Sequence, residues 1–158
     1  MPRVKLDRID RKILKDLQED GRMSNVDLAK RVGISAPPCL RRVRALEEAG
    51  IIKGYHADIN PASLGYGISV FAQVGLNSQA EEDLKKFEAT VQGWDMVIEC
   101  HLVSGESDYI LKIVAEDWDG YQKFLTTCLT AAPNVSHVKS ALGVRTSKWR
   151  AGVPVDIT

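Results

Sequence analysis

Three arginines in four residues follow two prolines in the stretch VGISAPPCLRRVRALEEAG, Val32 to Gly50. Arginine's planar fork matches phosphate oxygens and guanine edges, which lysine meets only as a point charge. Pro37 and Pro38 are tolerated in the first turn of a helix, where backbone N–H groups have no intrahelical acceptor. If Ser35 caps that helix, its usual targets are the amides two and three residues on, which here are prolines without an N–H. The Ser35 hydroxyl is then free to bond elsewhere. The start of a recognition helix is where a helix-turn-helix meets base edges and phosphates. Ser35, Pro37, Pro38, Arg41, Arg42 and Arg44 are therefore candidate DNA-binding residues, with Ser24 and Asn25 at the start of the preceding helix. Arg44 and Glu48, four apart, can also pair along the helix.

A second stretch, SGESDY, carries Ser104, Gly105, Asp108 and Tyr109 between two strand-like runs. Glycine permits a positive φ and brings backbone N–H groups close to a ligand. Exposed N–H groups suit a carboxylate and an aspartate suits an ammonium, the two poles of a free amino acid. On residue types alone the same stretch is equally a plain turn. Trp118 and Tyr121 open the next helix, as core or as lining of the same pocket. Catalysis is not indicated. His101, Ser104 and Asp108 lack the strand-to-helix elbow of a nucleophile. Cys100 and His101 are adjacent, so on a strand they point to opposite faces, a poor metal pair. Cys39, Cys100 and Cys128 show no CxxC spacing, and no Walker or GxGxxG motif occurs. No metal and no cofactor are expected.

The elements that must position these residues change rhythm midway. Asp7 and Asp10 signal the start of a first helix whose Ile9, Ile13, Leu14 and Leu17 form an apolar face. Ser24 caps a second helix ended by Gly33, with Val26, Ala29 and Val32 or Leu28 inward. In the third, Leu40, Val43 and Leu46 lie three apart and predict the packing stripe. IIKGYHADI reads as a strand or short hairpin. Three small helices and a strand pair outline a winged helix-turn-helix, closed by a turn at Asn60-Pro61. Beyond it the order is strand (ISVFAQVGL), helix (AEEDLKKFEATV), strand (MVIECHLV), strand (DYILKIVA), helix (WDGYQKFLTTCLTAA) and strand (VSHVKSALGVRTSKW). That is the ferredoxin-like βαββαβ, an antiparallel sheet with both helices on one face. The fold class is α+β, with a winged helix-turn-helix DNA-binding domain over 1–60 and a ferredoxin-like domain over 61–158. Apolar residues on the helix-free face, such as Val70, Ile98 or Ile113, would favour a homodimer.

Charge supports the division. Residues 1–60 carry 13 Lys+Arg against 9 Asp+Glu, and residues 61–158 carry 8 against 12, a basic front on an acidic back. One module meets a polyanion on that pattern. No apolar run suits a membrane helix and the N-terminus lacks a signal peptide's apolar core, so a cytoplasmic protein is expected.

The run from Leu6 through Pro61, LDRIDRKILKDLQEDGRMSNVDLAKRVGISAPPCLRRVRALEEAGIIKGYHADINP, resembles the N-terminal module of the Lrp/AsnC (leucine-responsive, feast/famine) transcription regulators. ECHLVSGESDYILK is similar to the central signature of their effector domain, and the resemblance covers nearly the whole chain, closest to the leucine-responsive branch. It implies double-stranded DNA as partner, dimers assembling to higher oligomers, and an amino-acid effector, leucine first, around Leu102, Ser104, Gly105, Asp108 and Tyr109. Backbone amides near Gly105 would hold the effector's carboxylate and Asp108 its ammonium. Pro37 and Arg41 stand where leucine-responsive members usually carry a hydroxyl and an acidic residue, so DNA binding carries over and the operator sequence does not. An architectural, DNA-wrapping oligomer without effector is the alternative.

Overall fold

The computed structural model describes residues 5–157. They form two units, one drawn from Met1–Asp58 with Lys148–Thr158, the other from Ile59–Ser147.

The first unit contains α1 (Arg8–Glu19), α2 (Asn25–Val32) and α3 (Ala36–Glu48). Asp7 and Asp10 close a full capping box, each carboxylate accepting from the other's backbone N–H. Ser24 caps α2 and Gly33 ends it at φ 80°, a left-handed geometry that glycine reaches without steric cost. The core gathers Ile13, Leu28, Ala29, Val32, Cys39 and Leu46. Two faces differ from the sequence expectation. Val26 is 52 % exposed, and α2 turns Leu28, Ala29 and Val32 inward instead. On α3 the inward stripe is Cys39, Val43 and Leu46, while Leu40 is 38 % exposed. Spacings of four and three fit a 3.6-residue period better than three and three, and the thiol of Cys39 packs as a small hydrophobe.

After α3, the amides of Ile51 and Ile52 donate to the Leu46 carbonyl. The segment beyond forms no strand. β-branched residues alone make no strand without a ladder partner, and residues 53–59 have none among the described residues. The tail, Lys148–Thr158, groups with the first unit. The cause is a side chain acting as a strand. Gln18 donates from Nε2 to the Val153 carbonyl at 3.1 Å and accepts from the Val153 N–H at Oε1, 2.6 Å. Arg11 donates to the Asp156 carbonyl at 3.2 Å. Gly152 sits at φ 74°, and a Cβ there would overlap the Gln18 side chain.

The second unit has β1 (Ile68–Leu76), α4 (Glu81–Val91), β2 (Val97–Leu102), β3 (Tyr109–Ala115), α5 (Trp118–Phe124) running into a π turn (Leu125–Leu129), and β4 (Val135–Gly143). A 3-10 turn, Pro61–Leu64, precedes β1. The sheet order is β2-β3-β1-β4 with every pair antiparallel, the ferredoxin-like arrangement. Val70, Ala72, Val74, Leu111 and Ile113 join Phe87 of α4 and Tyr121 and Phe124 of α5 in one core. Val70 and Ile113 thus lie under the helices, fully buried, rather than on the open face, and Ile98 is half-exposed at a register shift of β2. Alternation places the neighbouring residues, Phe71, Ile110 and Val114, on the helix-free face. Phe71 is 43 % exposed there.

Candidate DNA interface and effector turn

α3 presents two different arginine chemistries. The inward stripe of Cys39, Val43 and Leu46 brings Arg42 to the edge of the core. Its Nη1 donates to Asp7 Oδ2 at 2.7 Å and to Asp10 Oδ1 at 2.8 Å. The first turn of α1 is thereby tied to the middle of α3. These bonds raise the Arg42 pKa, the contact with Asp10 most. The Asp10 backbone N–H, then Arg42, hold the Asp7 carboxyl below the usual aspartate range.

Arg41 and Arg44 are exposed and carry no ion pair among the described residues; Arg44 does not pair with Glu48. With Pro37 and Leu40 they share the outer face, since positions 37, 40, 41 and 44 stack at helical spacing. Ser35 caps α3 with no side-chain bond, because the residues in its reach are Pro37 and Pro38. Pro37 is exposed and Pro38 half-buried. Ser24 and Asn25 serve the unit itself. Ser24 accepts from the Asp27 N–H and donates to its carboxylate. Asn25 donates to the Ala36 carbonyl at 2.8 Å, joining α2 to the start of α3. Of the eight sequence candidates, Pro37, Arg41 and Arg44 share the outer face of α3, Ser35 is exposed at its start, Pro38 is half-buried, and Ser24, Asn25 and Arg42 are engaged in hydrogen bonds within the unit.

The turn between β2 and β3 is held at its base. The Val103 N–H donates to the Asp108 carbonyl, and the Asp108 N–H to the Val74 carbonyl, both at 2.9 Å. Asp108 Oδ2 accepts from the Leu76 N–H at 2.6 Å and from Gln79 Nε2 at 3.4 Å. Its other oxygen has no partner among the described residues. Ser104 is exposed, Leu102 is 56 % exposed, and Gly105 stands at φ 141° with open space where a Cβ would be. Tyr109 parts from this group. Its ring is buried against Phe87, and its hydroxyl donates to Glu88 Oε1 at 2.9 Å. Burial first, then Glu88, raises its phenol pKa well above the ordinary value. The rings of Trp118 and Tyr121 meet at a tilt, 5.3 Å between centroids, and Tyr121 is wholly buried beside Ser140, so it belongs to the core. Ser107, not among the sequence candidates, has its hydroxyl buried in the turn without a partner among the described residues. Its only signal was its place beside Asp108.

Three helices with a free arginine face in one unit, and a ferredoxin-like sheet with an open turn in the other, define a helix-turn-helix protein with a second, α+β module. Residues 6–53 match the family model for a winged helix-turn-helix DNA-binding domain, and residues 69–153 that for the Lrp/AsnC ligand binding domain. The chain belongs to the Lrp/AsnC family: it is a DNA-binding transcription regulator and not an enzyme. It is 53 % identical over 146 residues to a leucine-responsive regulatory protein of Rhizobium meliloti, spanning 92 % of this chain and 94 % of that one. The leucine-responsive regulatory protein of Escherichia coli K12 is 47 % identical over 139 residues, 88 % of this chain and 85 % of that one. Among solved structures, a transcriptional regulator from Neisseria meningitidis in complex with L-methionine superposes at a TM-score of 0.91, with 35 % identity, covering 96 % of this chain and 98 % of that one. No helix among the described residues is long and apolar enough to cross a membrane.

Proposed function

We propose that the chain is a cytoplasmic regulator that binds double-stranded DNA through Ser35, Pro37, Arg41 and Arg44 and responds to an amino acid with an apolar side chain. The effector site is the turn formed by Leu102, Ser104, Gly105 and Asp108. One observation carries the reading: Asp108 is fixed through Oδ2 to the Leu76 N–H, while its other oxygen stays free for an ammonium. The exposed backbone at Gly105 faces the carboxylate end. The names of the relatives and the methionine complex favour leucine or methionine as ligand. Tyr109, sealed under α4, supports the turn from beneath and does not touch the ligand. Homodimers form across the helix-free face around Phe71, Ile110 and Val114 and assemble further, so that ligand affinity is linked to assembly.

Titration calorimetry with a panel of amino acids tests this. Leucine or methionine should release or take up heat with the wild type. Asp108→Asn should abolish that response, because it keeps an oxygen for the Leu76 N–H and removes the charge that the ammonium needs. Absence of heat with every amino acid at millimolar concentration, and an unmoved oligomer size, would leave the architectural DNA-wrapping reading in its place.

A further inference from the structure

The outer face of α3 contains one residue that neither charge nor packing explains. Leu40 is 38 % exposed and belongs to neither hydrophobic cluster, although Cys39 beside it is fully buried. A single exposed leucine is ordinary on a protein surface. This one lies in the second turn of the reading helix, between Pro37 and the free Arg41 and Arg44. The opening turns of such a helix are the part that reaches base edges in the major groove. There the base pairs differ by hydrogen-bonding groups and by one apolar feature, the C5-methyl of thymine. Arginines supply donors to guanine and phosphate but cannot recognise a methyl group.

We propose that Leu40 is a specificity-determining residue that packs on the C5-methyl of a thymine in each half-site. With 38 % of its surface open, Leu40 can make the contact without leaving the core, and apolar surface is removed from water on both sides. Pro37, one turn earlier on the same face, fixes the backbone that carries it. Arg41 and Arg44 then set affinity and register through phosphates or guanine, while Leu40 separates thymine from the other bases at one step. The proposal rests on the outer face of α3 being the reading face, and its test separates the two claims.

The full-length chain is first used to select duplexes from a randomised pool. Each thymine of the selected site is then replaced singly by uracil, which pairs identically and lacks only the methyl group. At fixed salt, one position per half-site should lose affinity about fourfold, the effect of one buried methyl-sized group. Leu40→Ala should bind the thymine duplex more weakly by at least that factor and bind thymine and uracil duplexes alike at that position. Leu40→Met should keep the discrimination, and Arg41→Ala should keep it at lower affinity. A wild type indifferent to every uracil, or a penalty that persists in Leu40→Ala, overturns the proposal. So does a marked fall in melting temperature for Leu40→Ala, which would place the side chain in the core. If Arg41→Ala and Arg44→Ala both leave affinity intact, the reading face itself is wrong, whatever Leu40 does.

Discussion

Arg42→Ala separates a positioning arginine from a reading one. In the wild type Arg42 Nη1 bonds Asp7 at 2.7 Å and Asp10 at 2.8 Å, with side-chain exposures of 32 % for Arg42, 51 % for Asp7 and 16 % for Asp10. An exposed ion pair is worth about 0.2–1 kcal/mol. The Asp10 contact is more enclosed, and both are short charge-assisted bonds, so the pair together contributes about 1–2 kcal/mol. In a unit of this size each kcal/mol moves the melting temperature by about 4–8 °C. The first unit should therefore melt earlier in Arg42→Ala, and DNA affinity should fall because α3 loses its tie to α1. The logarithm of affinity against the logarithm of salt should keep its slope, since no phosphate contact is removed. Acid should narrow the difference. Asp7 titrates lower in the folded chain than in the unfolded one, so its contribution is present above the ordinary aspartate pKa and is lost as pH falls through and below the folded value. Fluorescence anisotropy across a salt series, with thermal melts at two pH values, measures all of this. Unchanged stability together with a slope shallower by about 0.9 would show that Arg42 binds a phosphate, and the clamp argument would fail.

Two further outcomes follow from the packing. Gly152→Ala and Gln18→Ala should each release the C-terminal tail, seen as faster proteolysis near Val153 and a first unit weaker by about 1–2 kcal/mol, with the second unit's melt unmoved; protection equal to wild type in both would refute the side-chain strand. Phe71→Glu should shift the protein towards monomer in sedimentation without unfolding it, because the residue is exposed on the helix-free face; an unchanged sedimentation coefficient would place the dimer contact elsewhere.

Local signals were legible in the sequence. The box of Asp7 and Asp10, the caps at Ser24 and Gly33, and the idle hydroxyl of Ser35 ahead of two prolines all follow from residues within three or four positions. The βαββαβ order was equally readable, and β1 begins and ends at Ile68 and Leu76 as its alternation implies. What failed was orientation. Alternation shows that Val70 and Phe71 face opposite ways without saying which face the helices cover. Reading Cys39 as a lone thiol rather than a packing residue turned α3 by one position, which put Leu40 inside. Other contacts are too remote to read locally: Arg42 meets Asp7 across 35 residues and Gln18 meets Val153 across 135. The exposure of Ser104 and Gly105 in the turn follows from their types, whereas the burial of Tyr109 and the use of one Asp108 oxygen by Leu76 depend on tertiary contacts.

The return of Lys148–Thr158 to the first unit has a consequence for synthesis on the ribosome. Domains generally fold in the order they emerge, yet here the unit begun first is completed last. Its three helices are made before the sheet, and the segment that Gln18 clamps is translated only after β4. A nascent chain interrupted after the sheet would carry a finished ligand-binding module on an unfinished DNA-binding one. The order of synthesis therefore makes the docking of the C-terminal segment on Gln18 the last step in completing the first unit.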